Sequence, residues 1–246
     1  MLRFTGITKA FGWHAVFRGI DDDLAPGVYA LQGANGSGKS TLLGILSGAI
    51  APDAGDVWID GVSLNADPLA ARRRLSYAPD ESPIYPFMGG RDLLDFVAMA
   101  KQAKVDSATL DLAAQLGLSP FMQTRFGAMS LGTQKKFLLC AAWIGEPRVM
   151  LLDEPSNGLD TRARKLLAQG IRARGPQSLT LFASHDTGFV EACGARVLQM
   201  DRFTAHGPCM QALGRLSDRP AVSSWGRACS VGVRWEIVLR LERIRA

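Results

Sequence analysis

The sequence predicts an α/β fold, a mainly parallel sheet flanked by helices, with a helical lobe inserted between its strands. Three observations carry this. Strand patterns of buried type alternate with helical patterns in both halves of the chain. Between about residues 88 and 145 the apolar spacing is helical throughout. A glycine-rich loop, GANGSGKST at 33 to 41, joins a strand pattern directly to a helix pattern.

Taken in order, LRFTG and GVYALQG are short β-like pieces punctuated by Gly and Pro, and STLLGILSGAI after the loop has helical spacing. GDVWIDG is a strand closing on a hairpin turn, PLAARRR a short basic helix, and LSYAP another strand. The period then changes. GGRDLLDFVAMAKQAK, SATLDLAAQLGL and GTQKKFLLCAAWIG are three helices, forming the inserted lobe. Strands return with VMLLD and SLTLFASH, each followed by a helix pattern, and ARVLQMD with RFTAHG predicts a hairpin. In the tail Val231, Val233, Trp235, Ile237, Leu239 and Leu241 alternate with mostly polar residues, which predicts an amphipathic strand. No internal repeat or low-complexity segment interrupts this order.

Bulk properties narrow the class. With 246 residues, 47% hydrophobic and 21% charged, the chain can bury one substantial core, as one large domain or two small ones, and is neither disordered nor fibrous. Its net charge of +5 suits phosphates or an anionic bilayer surface, but the excess is modest and spread along the chain. The four cysteines, Cys140, Cys193, Cys209 and Cys229, have no CxxC or metal-ligand spacing, which points to a reducing compartment. No apolar run reaches the roughly 18 residues of a membrane span, and no signal-peptide core follows the N-terminus. A cytoplasmic chain that meets the membrane through a partner is expected.

The chemistry concentrates in a few segments. Gly33, Gly36, Gly38, Lys39, Ser40 and Thr41 match the phosphate-loop pattern, with Asn35 and Ser37 completing the loop. Its glycines let backbone amides approach a polyphosphate, and the helix start adds its dipole. Lys39 is expected on β- and γ-phosphate oxygens, the Ser40 hydroxyl on Mg²⁺, and Thr41 on the α-phosphate side. The apolar run 149 to 152 ends in Asp153 and Glu154, two acids that repel unless a cation accounts for them. Asp153 would hold Mg²⁺ through water, and Glu154 would orient or deprotonate an attacking water. An acidic turn before Pro155 is the plainer alternative for that segment alone.

His185 ends another apolar strand, where parallel strands deliver functional residues, although a lone strand-end histidine is more often structural. His14 and His206 are read as surface residues. Phe11, in KAFG, could stack on an adenine ring; read alone, it would be core. MSLGTQKKF at 129 to 137 is a second helix start, whose capping hydroxyls also mark an end that attracts anions.

These pieces in this order resemble the nucleotide-binding subunit of ABC transporters from about residue 2 to 207: Phe11, the phosphate loop, the LSGGQ-like MSLGTQ, the acid-tipped strand, the SNGLD segment and His185. The resemblance implies a P-loop NTPase core of ABC ATPase type over residues 1 to 207. That core would carry an N-terminal antiparallel β subdomain and an inserted helical subdomain, with 208 to 246 as an extension. It also implies that ATP is sandwiched between the phosphate loop of one subunit and the LSGGQ-like helix of another. Ser130 and Gly132 would then reach the partner's γ-phosphate. By the same likeness Glu154 is the catalytic base, His185 the γ-phosphate sensor, and Asp160 part of the contact across the dimer.

A membrane-spanning permease subunit would couple through a groove beside the helical lobe, and SYAPDESPIYPFMGGRDLL resembles the stretch found in export-associated subunits. Two departures from the family pattern stand out. Asp80 occupies the position of a glutamine that links the core to the lobe; it could still bind Mg²⁺ through oxygen, but its charge opposes the γ-phosphate. In MSLGTQ, Leu131 and Thr133 replace a glycine and a glutamine. The rival readings are a non-transport ABC ATPase acting in translation or on DNA, and a P-loop kinase or nucleotide switch. The first would bring a second cassette or a long coiled coil and the second an acceptor site; none of these is visible, and no nucleic-acid partner is expected.

Overall fold

The computed structural model describes residues 1–81, 84–174 and 177–203. Two β layers form the body. The first is an antiparallel sheet, order β2-β1-β4-β5, of β1 (Leu2–Phe11), β2 (His14–Leu24), β4 (Ala54–Ile59) and β5 (Val62–Ser63). The second is a five-stranded parallel sheet, order β6-β7-β8-β3-β9, of β3 (Gly27–Gln32), β6 (Leu75–Ala78), β7 (Val149–Asp153), β8 (Leu179–Ala183) and β9 (Arg196–Gln199). Helices α1 (Lys39–Ser47), α2 (Pro68–Arg73), α6 (Thr161–Arg172) and α7 (Thr187–Cys193) belong to the sheets' crossovers. The inserted lobe is α3 (Gly90–Ala100), α4 (Ser107–Gln115) and α5 (Leu131–Ala142), with short 3₁₀ turns between α4 and α5.

The central strands β7 and β8 of the parallel sheet are buried on both faces, which is why they are near-continuous apolar runs rather than alternating ones, whereas the edge strand β9 is largely exposed. Along β7, Val149 and Leu151 join the core between the parallel sheet, α1 and the antiparallel sheet. Met150 and Leu152 join the opposite core, with α6, α7 and the lobe. The lobe packs through a close approach: a Cβ on Gly90 would lie 2.3 Å from Phe137 Cζ, so α3 can meet α5 only without a side chain there. Cys140 and Cys193 are buried free thiols, and burial pushes both up to about 12, far from reactivity.

Two expectations need correction. GVYALQG is indeed a short strand, β3, but LRFTG is only the start of the ten-residue β1, which pairs in a hairpin with the unpredicted eleven-residue β2. Register shifts in β1 and the sparse burial of β2 obscure the alternation from which such strands are read. After β9 no second strand begins at Arg202: Met200–Arg202 is a 3₁₀ turn, and Phe203 turns inward against Phe4. The rest of RFTAHG, His206, Cys209, Cys229 and the predicted tail strand lie outside the described residues. Among those described, no helix is long and apolar enough to cross a membrane.

Candidate functional site

Strand β3 ends at Gln32, and the loop that follows turns straight into α1. Gly36 and Gly38 hold φ of 77° and 95°, the left-handed region, which aims successive backbone N–H groups toward one point. At Gly38 space also demands glycine, since a Cβ would meet Val16 Cγ1 at 2.9 Å. The Lys39 side chain is only 8% exposed and donates to the carbonyls of Gly33 and Ala34 at 2.8 and 3.1 Å, so its charge stays at the loop. Ser37 Oγ is buried without a hydrogen-bond partner. That orphaned hydroxyl, the glycine cradle and the buried ammonium fit a polyphosphate.

The neighbouring strands complete the site. Asp153, the last residue of β7, is buried, and burial raises its carboxyl above the usual range; a hydrogen bond with Ser40 opposes this, and the charge of Asp80 adds to it. Ser40 and Asp153 are therefore adjacent oxygen donors of the kind Mg²⁺ takes. Among the described residues no group of three His, Cys, Asp or Glu side chains forms a metal cage, so a magnesium ion held here would complete its shell with phosphate and water. Glu154, next in the chain, sits at φ 43°, unusual for a residue with a side chain, and its N–H donates to Ala183 O on β8 at 3.0 Å. This geometry brings Glu154 Oε1 to 3.3 Å from His185 Nε2.

A cavity of about 530 Å³ is lined by Asn35, Gly36, Gly38, Lys39, Ser40 and Thr41 together with Glu154, Asn157 and His185, while Gly33, Ser37 and Asp153 are not part of its lining. Residues some 120 apart in sequence thus face one space. Asn157 is a lining residue that the sequence reading missed, although it lies in the SNGLD segment already singled out.

Other expected residues stand apart from this cavity. Phe11 is 52% exposed at the end of β1, with the Lys9 ammonium 5.3 Å from its ring centre. Ser130 caps α5, accepting from Thr133 N–H at 3.2 Å, and its hydroxyl also bonds that of Thr133 at 2.9 Å. Gln134 pins the turn by donating to Phe126 O and Met129 O, while Leu131 is 82% exposed. Gly132 lies against the SNGLD turn: a Cβ there would stand 2.9 Å from Gly158 O. Asp160 caps α6 through Ala163 N–H and pairs with Lys136 at 2.5 Å; that lysine, with the two hydrogen bonds, holds its carboxyl below the usual range. Asp80 pairs with Lys135 at 2.9 Å and lines a second cavity, of about 440 Å³, together with Gly132, Asn157 and Gly158. Neither lysine was picked out in the sequence, where a basic pair on a helix is usually a solvated face.

Comparison with known proteins bears on the family and the fold. The sequence model of a family described as ABC transporter matches residues 19–157. The chain is 30% identical over 177 residues to ATP-binding cassette sub-family A member 7 of Rattus norvegicus, covering 70% of this chain and 8% of that protein. It is 22% identical over 245 residues to the linearmycin resistance ATP-binding protein LnrL of Bacillus subtilis (strain 168), covering 98% and 72%. The chain thus spans under a tenth of the first relative and most of the second. Among solved structures, the dimeric post-hydrolysis state of an ATP-binding cassette bound to ADP and Pi superimposes with a TM-score of 0.70 at 19% identity, over 81% of this chain and 94% of that one. At that identity the likeness supports the fold.

Proposed function

Since the chain belongs to the ABC transporter family, we propose that it is an ATPase subunit that closes on a second cassette around ATP and drives a separate membrane-spanning permease. The observation that carries this reading is the single cavity in which the phosphate loop faces Glu154 and His185. Glu154 would orient and deprotonate water for attack on the γ-phosphate, with His185 steadying that carboxylate and sensing the phosphate. Lys39 would balance phosphate charge, and Ser40 with Asp153 would hold Mg²⁺, which would draw charge from the phosphate oxygens.

The need for two chains is supported by what the cavity omits. Ser130, Gly132 and Asp160 do not line it, yet the Ser130 end of α5 has the amides and dipole that favour an anion. In a pair, that end would cover the neighbour's terminal phosphate, with Asp160 near the seam and Phe11 stacked on the base. Closure would follow from ATP binding the closed pair better than the open one, and hydrolysis would reset it.

For the permease, the support is an exposed aromatic pair, Tyr85 and Phe87, stacked 5.3 Å apart at the entry to the lobe. In this reading residues 1 to 207 are the ATPase domain, on the cytoplasmic face of the membrane. Export as the direction rests on the stretch 76–94 alone. The test is size-exclusion chromatography of the Glu154→Gln variant with and without MgATP, beside co-purification from membranes. An ATP-dependent dimer and a multi-span partner support the reading. A permanent monomer with residues 130 to 134 remote from any nucleotide would refute it, and co-purifying ribosomes or nucleic acid would favour a non-transport role.

A further inference from the structure

Lys135 belongs to the helical lobe, yet its ammonium is buried at the tips of β6 and β7, with 6% of the residue exposed. Four acceptors surround it: Asp80 Oδ1 at 2.9 Å, and the carbonyl oxygens of Asp153, Asp80 and Pro79 at 3.1, 3.2 and 3.3 Å. An ammonium has three protons. With four acceptors for three protons, the charged and nearest one, Asp80 Oδ1, takes a proton and the three carbonyls share the other two. The other buried cation of the region, Lys39, is turned onto Gly33 and Ala34. Lys135 is therefore the cation that answers an acid on the second cavity, which shares Asn157 with the one suited to polyphosphate.

We propose that Lys135 is a positioning residue, the internal counter-ion that makes a carboxylate at position 80 compatible with a bound nucleotide. Through the same ammonium it ties the lobe to the strand tips that carry Asp153. The proposal rests on the nucleotide-binding reading above. It predicts an asymmetry. Without Asp80, Lys135 keeps three carbonyl acceptors; without Lys135, the carboxylate of Asp80, 43% of whose side chain is exposed, keeps its charge near Asp153 with solvent alone to screen it.

The test is a double-mutant cycle of Lys135→Gln, Asp80→Asn and the pair, reading the dissociation constant of a fluorescent ATP analogue with Mg²⁺, and the circular dichroism of each variant. Lys135→Gln is expected to weaken binding by about tenfold or more, and adding Asp80→Asn to recover most of that loss. Lys135→Arg, which keeps the charge, should fall between wild type and Lys135→Gln. Additive effects, with the pair no better than Lys135→Gln alone, would overturn the counter-ion role in favour of plain scaffolding. If Lys135→Gln fails to fold, recovery of folding in the pair supports the role, and failure of both overturns it. Failure of the wild-type chain to bind MgATP would overturn the nucleotide reading itself, and this proposal with it.

Discussion

Glu154 Oε1 lies 3.3 Å from His185 Nε2, a contact between the tips of β7 and β8 made where Glu154 holds a left-handed backbone. Such strain persists only where its surroundings enforce it, here through the bond from Glu154 N–H to Ala183 O. Glu154→Gln should therefore keep ATP binding and slow single-turnover hydrolysis by about a hundredfold or more. His185→Ala should slow it as well, and the double variant should lose less than the product of the two. Multiple-turnover hydrolysis at the wild-type rate by Glu154→Gln would remove Glu154 from its role.

Lys39→Ala should abolish tight binding of the nucleotide while leaving the fold intact, since the lysine's partners in the protein are two exposed-loop carbonyls. Equilibrium binding of a fluorescent ATP analogue, beside a thermal melt, checks both halves of this expectation.

Gly132→Ala would set a methyl 2.9 Å from Gly158 O. Neither Gly132 nor Gly158 lines the phosphate cavity, so nucleotide binding to the single chain should survive while ATP-dependent pairing is lost. Analytical ultracentrifugation with MgATP separates the two, and undiminished pairing would contradict the assignment of α5 to the seam.

Gly90→Ala should destabilise the lobe by about 1–3 kcal/mol, the usual cost of overpacking, because the added carbon meets the Phe137 ring. Phe137→Leu in the same chain should return part of that loss in a urea melt.

Burial, helped by the nearby Arg174 charge, pushes the Lys101 ammonium down from 10.5 to about 8. Between those values the unfolded chain holds a proton that the folded chain has released, so this group's contribution makes stability rise with pH across the window; below it the full penalty applies. Lys101→Met should remove that rise. Buried Cys140, Cys193 and Tyr77, all shifted upward, act in the opposite sense from within that window upward and cancel in the difference between the two chains' urea midpoints.

Much of the core and the phosphate loop was legible because both are dictated locally. The runs VMLL and LTLFA are apolar at all positions but Thr180 since both faces of their sheet are covered, and GANGSGKST needs its glycines for backbone shape. The N-terminal hairpin was harder, because its outer strand buries little beyond Phe17 and Leu24. Asn157 and Lys135 were invisible for another reason. Their significance lies in neighbours far along the chain, Lys39 and His185 for one, Pro79 and Asp153 for the other.

The abutment of Gly132 on Gly158, riveted by Lys136 to Asp160, makes the start of α5 and the turn before α6 a single stiff bracket. One arm of that bracket reaches Asn157 in the chain's own cavity, and the other would rest on a neighbour's nucleotide. Two such brackets facing each other would form a loop of rigid parts in which neither chamber could change shape alone. Alternation between the chambers would then be a matter of mechanics, imposed by a contact too tight to hold a methyl group.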